Sequence, residues 1–420
     1  MASTTGVGRN IIVGAQMLFV AFGALVLVPL LTGLDPSIAL FSAGIGTLIF
    51  QLITKSKVPV FLASSFAFIA PIQVGIDMYG IAATLGGLAC AGIFYLLLGG
   101  LVKWQGVKVI ERYLPPIVTG PVIMVIGLQL APVAIDMTRN FAGQEGTNSL
   151  ALLIAFISLA TTIFIVMKGK GILSLIPIIV GIIVGYVISI FFGVVDYSAI
   201  HEAAWFHIPW VTAMREGSFA FPVFELGAIL FILPVAIAPA IEHVGDILAI
   251  SAVTEHDYIE DPGLHRTLSG DGVATTIGAL LGGPPNTTYS EVTGAVALLK
   301  TFDPMLMRIA AIFAILLAFV GKLGAILKSI PVPVMGGILI LLFGMIAVIG
   351  MQTLIREKVD LGKSRNLVIA AVILITGIGD MAFNVGDFSL SGIGLAGVIG
   401  VLLNMILPQT QDDTQGKDTE

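Results

Sequence analysis

Glu242 and Asp246 stand four residues apart in the apolar stretch Ala238-Pro239-Ala240-Ile241-Glu242-His243-Val244-Gly245-Asp246, so a helix there puts both carboxyls on one face. Two further acids, Asp271 and Glu291, fall in the apolar runs that follow. An acidic side chain at the centre of a membrane helix costs about 2.5 to 3.5 kcal/mol even on mild scales, so each of these residues needs a compensating role. Two like charges on one low-dielectric face favour the neutral form of one carboxyl, which makes the pair a device for carrying a proton. Asp246 and Asp271 also admit a structural role, in which they accept hydrogen bonds from backbone groups left open by a broken helix. His243 projects about 100° around the helix from Glu242. It reads first as a structural histidine and second as a proton relay beside Glu242, Asp246 and Asp271.

Other chemistries find no pattern. There is no Gly-rich phosphate cradle with a following Lys, no paired-His metal spacing and no nucleophile elbow, so neither an enzyme, a metal site nor a cofactor is expected. Basic residues sit singly at loop ends, unlike a nucleic-acid surface. The one cysteine, Cys90, lies in an apolar run and suits small-residue packing. Asn286-Thr287-Thr288 matches a glycan acceptor but falls where no glycan is attached.

The elements that must hold these acids are membrane helices. The 420 residues are 57% hydrophobic and 11% charged, with a mean hydropathy of +1.05, whereas a soluble domain carries roughly a quarter charged residues. Apolar runs near the roughly 20 residues needed to cross a bilayer recur throughout. Spans are predicted at 11–33, 38–54, 60–75, 79–102, 115–135, 149–167, 172–195, 223–250, 268–283, 287–300, 303–325, 331–354, 365–380 and 388–407, fourteen in all, with the first retained rather than cleaved. With the N-terminus inside, the outward connections hold only Arg139, Arg215, Lys322 and Lys328 of the 20 Lys and Arg. That bias predicts an even span count with both termini cytoplasmic. The acid-rich tail, 409–420, is expected to be solvated and disordered.

Two spans are too short and polar for a full helix. One begins Val58-Pro59-Val60-Phe61-Leu62-Ala63-Ser64-Ser65-Phe66, and the other follows Gly282-Gly283-Pro284-Pro285-Asn286-Thr287-Thr288-Tyr289. Each is third in a set of seven, and seven being odd, the second set enters the membrane inverted. Interrupted segments at matching places mark a carrier's midplane site. Ionised Glu242 and Glu291 can only accept hydrogen bonds, so they suit the ring N–H groups of a flat neutral base such as uracil. The free N–H groups at the half-helix starts, around Ser290 and Glu291 and around Phe66, suit its carbonyl oxygens. Phe66 and Tyr289 are the nearest rings in sequence for stacking, or else ordinary packing aromatics.

Several segments together resemble one family along nearly the whole chain. They are Phe22-Gly23-Ala24 with Val28-Pro29, Gly44-Ile45-Gly46-Thr47-Leu48, Ser64-Ser65-Phe66-Ala67-Phe68-Ile69 and Glu242-His243-Val244-Gly245. Asp261-Pro262-Gly263-Leu264-His265-Arg266, Pro285-Asn286-Thr287-Thr288-Tyr289 and Pro333-Val334-Met335-Gly336-Gly337 complete the set. The chain is similar to the nucleobase-cation symporter-2 family, also called nucleobase-ascorbate transporters, and within it to the bacterial uracil permease branch.

The resemblance implies an all-α polytopic protein of two inverted seven-segment repeats, with a short antiparallel β pair in segments 3 and 10. A core domain would comprise 1–112 and 223–329, and a gate domain 113–222 and 330–408. It implies base binding by Glu242 and Glu291, with backbone partners at Phe66 and Ser290, and a homodimer formed through the gate. The implied function is proton-coupled uracil uptake across the cytoplasmic membrane, with sodium as the alternative coupling ion. The chain departs from that branch at Ser290, where uracil permeases have glycine, and at Asp246, where they have a histidine. Met17, Val292 and Leu299 also break family patterns. An acid at 246 and one at 271 resemble the purine branch, so a xanthine or urate carrier is the first rival, while the acid at 291 favours a pyrimidine. An anion carrier on a similar inverted-repeat fold is the second rival.

Overall fold

A computed structural model describes residues 7–141, 146–385 and 388–408. The acidic tail therefore lies outside the described residues, and so does the side chain of Ser290. The first half holds α1 (Val7–Thr32), α2 (Pro36–Ile53), β1 (Leu62–Ser64), α3 (Ile69–Gln105), α4 (Lys108–Tyr113), α5 (Pro116–Gln129), α6 (Ala131–Arg139), α7 (Ser149–Lys168) and α8 (Pro177–Phe191). Two short helices follow, α9 (Ser198–Glu202) and α10 (Pro209–Glu216). The second half holds α11 (Leu226–Ile232), α12 (Ile237–Thr254), α13 (Leu264–Leu280), β2 (Asn286–Thr288), α14 (Ser290–Leu299), α15 (Met305–Ala318), α16 (Gly321–Lys328), α17 (Val332–Arg356) and α18 (Ser364–Ile378). It ends with β3 (Ala382–Val385), β4 (Phe388–Ser391) and α19 (Gly392–Ile406).

Among the described residues, seven helices are long and apolar enough to cross a membrane, and four shorter apolar ones accompany them: α8, α15, α18 and α19. Of the other expected segments, 268–283 falls on α13 and 287–300 on β2 and α14. The predicted span 60–75 holds β1 and, from Ile69, the start of α3, which continues through 79–102 with a break at Gly80, whose φ is 79° and ψ 166°. Glycine takes that conformation without a Cβ penalty. The segment predicted at 388–407 begins as a strand, because β3 and β4 form a second antiparallel pair before α19.

The two interrupted segments meet. Leu62 pairs with Thr288, Ala63 with Thr287 and Ser64 with Asn286, and the Ser65 N–H extends the ladder to the Pro285 carbonyl at 2.9 Å. Backbone with no helix of its own must be satisfied inside lipid, and flanking side chains complete the work. Thr47 Oγ1 on α2 accepts from the Leu62 N–H at 2.9 Å, and Gln51 Nε2 donates to the Val58 carbonyl at 2.8 Å. Thr275 Oγ1 on α13 donates to the Asn286 carbonyl at 2.7 Å. Thus α2 and α13 hold the crossing from either side.

Around the crossing, α1, α2, α3, α13 and α15 pack against one another, while α5, α6, α7, α18 and α19 gather about α17 and each other. Apolar surface gives little drive in lipid, so close packing depends on small residues. A Cβ on Gly92 of α3 would meet the Gly272 carbonyl of α13 at 2.5 Å, and one on Gly272 would meet the Gly92 carbonyl at 2.7 Å. Gly120 of α5 and Gly350 of α17 make a like reciprocal approach. Helix α12 joins the two sets, lying against α13 on one side and against α5 and α19 on the other.

Candidate functional site

Helix α12 runs between these sets and presents Glu242, Gly245 and Asp246 to a cavity of about 930 Å³. The facing wall comes from Thr119 and Ile123 on α5 and from Ile346, Ile349 and Gln352 on α17, with Arg356 and Glu357 at the rim. Arg356 is the only basic residue lining it among the described residues. The spacing expectation holds geometrically, since both acids one turn apart face the same space. Gly245 between them has no atom within 4 Å of where a Cβ would stand, which leaves the wall open at that point.

The other candidates divide into two groups. Phe66, Tyr289 and Glu291 do not line the cavity; they lie at the strand crossing, where the two half-helices start. Phe66 and Tyr289 are buried with ring centroids 6.2 Å apart, and the Phe66 ring also meets Phe343 of α17 edge-on at 6.3 Å. These rings close contact between the two helix sets. Tyr289 caps α14 without a side-chain hydrogen bond, so the first-turn N–H groups of Ser290 and Glu291 are not taken by that cap.

His243 and Asp271 form the second group. Their side chains have zero exposure and lie 3.0 Å apart, Nδ1 to Oδ2, an ion-pair distance without hydrogen-bond alignment. The 100° offset predicted from Glu242 carries His243 away from the cavity and onto α13. Asp271 meets this histidine, and not the open backbone groups that the structural reading assigned to it. The hydroxyl of Tyr95 on α3 is buried as well and accompanies Asp271.

Sequence reasoning missed two contacts. Thr288 Oγ1 on β2 donates to Asp246 Oδ2 at 2.8 Å, joining α12 to the strand crossing over 42 residues of sequence. Lys328, at the end of α16, reaches Asp35 Oδ2 at 2.6 Å and also Glu216, tying α2 and α10 together. Burial acts to lower the Lys328 ammonium, but Asp35 and then Glu216 outweigh it and hold it above its ordinary value. On the opposite end of the helices, the hydrogen bond and charge of Lys57 hold the exposed Asp261 carboxyl below the usual range. Cys90 is half-buried and free, in keeping with a packing role.

A profile described as the Permease family matches residues 8–386. A probable uracil permease of Haemophilus influenzae is 52% identical over 96% of this chain and 95% of its own. The uracil permease of Bacillus caldolyticus is 46% identical, covering 96% and 93%, and that of Escherichia coli 39% identical, covering 95% and 91%. In fold, the chain is similar to the transmembrane domain of the cyanobacterial bicarbonate transporter BicA, with a TM-score of 0.61 at 14% identity over 94% of this chain and 96% of that one. Murine Solute Carrier 26 family member A9, in its inward-facing state, matches with a TM-score of 0.65 at 13% identity over 96% and 69%.

Proposed function

This chain belongs to the permease family, in its nucleobase-cation symporter-2 group, and on that premise we propose that it moves uracil together with a proton across the cytoplasmic membrane by alternating access. The observation that carries this reading is the pair Glu242 and Asp246 on one cavity wall, with Arg356 at the rim the one cation lining that cavity among the described residues. Two carboxylates select a neutral cargo that offers N–H donors. They would repel an anion, which disfavours the anion-carrier reading despite the shared fold.

Uracil offers two ring N–H groups and two carbonyl oxygens. Glu242 and Glu291 accept from the ring nitrogens, and the backbone N–H groups of Phe66 and Ser290 meet the carbonyls. Phe66 and Tyr289 supply the apolar faces against which the ring lies. Protonation of the Glu242 and Asp246 face admits the base, and release of that proton on the far side frees it. Asp271 and His243 belong to the same ionisable cluster but act through Glu242 rather than at the cavity.

We assign α1 to α3 and α11 to α16 to a core domain, and α5 to α8 and α17 to α19 to a gate domain, in line with the packing above. The positive bias of the connections supports a cytoplasmic cavity mouth, near Val107 and Arg356, and both termini inside. On that reading the cavity is open to the cytoplasm, with the Phe66 and Phe343 rings in edge-on contact at the strand crossing. Two copies associate through the gate.

Uptake of labelled uracil by cells lacking their own carrier tests the substrate, with xanthine, urate, thymine and adenine as competitors. Uracil and close pyrimidines should compete and xanthine should not. Asp246 and Asp271, together with a cavity large enough for a bicyclic base, favour the purine carrier as the second reading. Stronger competition by xanthine would replace the first reading with it.

A further inference from the structure

We propose that Thr288 is the positioning residue through which the charge state of Asp246 reaches the base-binding end of α14. The inference rests on the reading that Asp246 carries the coupling proton. Thr288 and Asp246 are 1% and 5% exposed, and their oxygens are 2.8 Å apart. A hydroxyl both donates and accepts, whereas an ionised carboxylate only accepts. While Asp246 is ionised, Thr288 must donate to it. Once Asp246 gains a proton, its carboxyl becomes able to donate, and the Thr288 hydroxyl is free to turn and accept from it. The contact is therefore fixed in direction only while Asp246 is ionised and can reverse once it is protonated.

What makes this reversal consequential is the place of Thr288 in the chain. It is the last residue of β2, and only Tyr289 separates it from Ser290, the first residue of α14, with Glu291 next. The strand is pinned at its other end, where Asn286 pairs with Ser64 and donates to the Ser42 and Ala274 carbonyls. A change at Thr288 thus cannot be absorbed upstream and passes toward α14. On α12 the same carboxyl stands one turn from Glu242. The hydroxyl is the bridge between the proton site on one helix and the start of another.

Other ionisable groups surround Asp246: Glu242 on its own helix, Glu291 and Tyr289 at the start of α14, the Asp271 and His243 pair on the side of α13, and Arg356 and Glu357 across the cavity. Thr288→Val keeps all of these and the shape of the side chain while removing the hydroxyl. Thr288→Ser keeps the hydroxyl.

The experiment is the pH profile of labelled uracil uptake in proteoliposomes for the parent protein, Thr288→Val, Thr288→Ser and Asp246→Asn. A hydrogen bond to a charged group favours the ionised form, so its loss in Thr288→Val should move the midpoint to higher pH by about one unit. Thr288→Ser should restore the parent midpoint. If Thr288→Val does not accumulate, Thr288→Ala takes its place, and the uracil-induced rise in melting temperature across the same pH range gives a second readout. An unchanged midpoint in Thr288→Val, alongside lost pH dependence in Asp246→Asn, overturns the inference and leaves Asp246 as the coupling acid. A parent-like profile in Asp246→Asn removes the coupling reading, and the inference falls with it.

Discussion

His243 on α12 and Asp271 on α13 face one another at 3.0 Å with both side chains wholly shielded from solvent, behind the wall that carries Glu242. A buried pair of this kind is costly to break on one side, because the remaining group is left uncompensated. Asp271→Ala or His243→Ala should lower stability by about 3 to 5 kcal/mol. Melting of the detergent-solubilised protein measures this. The double substitution to leucines should recover much of the loss, and a double-variant loss equal to the sum of the two single losses would mean that the two residues do not act as a pair.

Glu242→Gln and Glu291→Gln should each reduce uracil uptake by at least tenfold, since a charge-assisted hydrogen bond contributes about 1.5 to 3 kcal/mol. The amount of protein in the membrane should not change, because neither side chain holds the strand crossing together. Parent-level transport in either variant would remove that residue from the site.

Gly245 and Gly92 should respond in opposite ways. Gly245→Leu places a side chain into the open cavity, so it should leave folding intact and raise KM for uracil several-fold. Gly92→Leu drives a side chain into the Gly272 backbone, so it should fail to accumulate as folded protein. Fluorescence-detected size-exclusion and uptake assays separate the two effects.

Asp261 gives a pH test outside the membrane. Its carboxyl is held below the usual range by the hydrogen bond and charge of Lys57, with His256 and Lys55 adding to the charge effect. A depressed carboxyl contributes stability above its unfolded value, near pH 4, and loses it as pH falls through the folded value. The melting temperature of the parent should therefore exceed that of Lys57→Gln at pH 7, and the difference should shrink below about pH 4. A gap that persists in acid would assign Lys57 a role independent of Asp261.

Much of this architecture is legible in the sequence because the bilayer restricts the choices. Pro59, Pro284 and Pro285 with their polar neighbours mark the two broken segments, and backbone left open in lipid has to pair, so β1 and β2 follow. The four-residue step from Glu242 to Asp246 fixes a shared face for the same reason. Periodicity is silent about what lies opposite. Nothing near Thr288 announces Asp246, and nothing near His243 announces Asp271, because those pairings depend on how α12 crosses the strands and α13. The β3 and β4 hairpin straddles the predicted connection at 381–387 and the start of the predicted last span, where no alternating pattern long enough to mark a strand appears. In Lys328, a charge at a predicted loop end gives no sign of the acids it reaches, Asp35 just before α2 and Glu216 at the end of α10.

The most direct test of the central claim is uracil accumulation in proteoliposomes under an imposed pH gradient, acid on the outside, with parent protein and Asp246→Asn compared. The parent should concentrate uracil and lose that ability when a protonophore collapses the gradient, and Asp246→Asn should exchange uracil without concentrating it. Accumulation by the parent that ignores the proton gradient, or that follows a sodium gradient instead, would contradict proton coupling through the acids of α12.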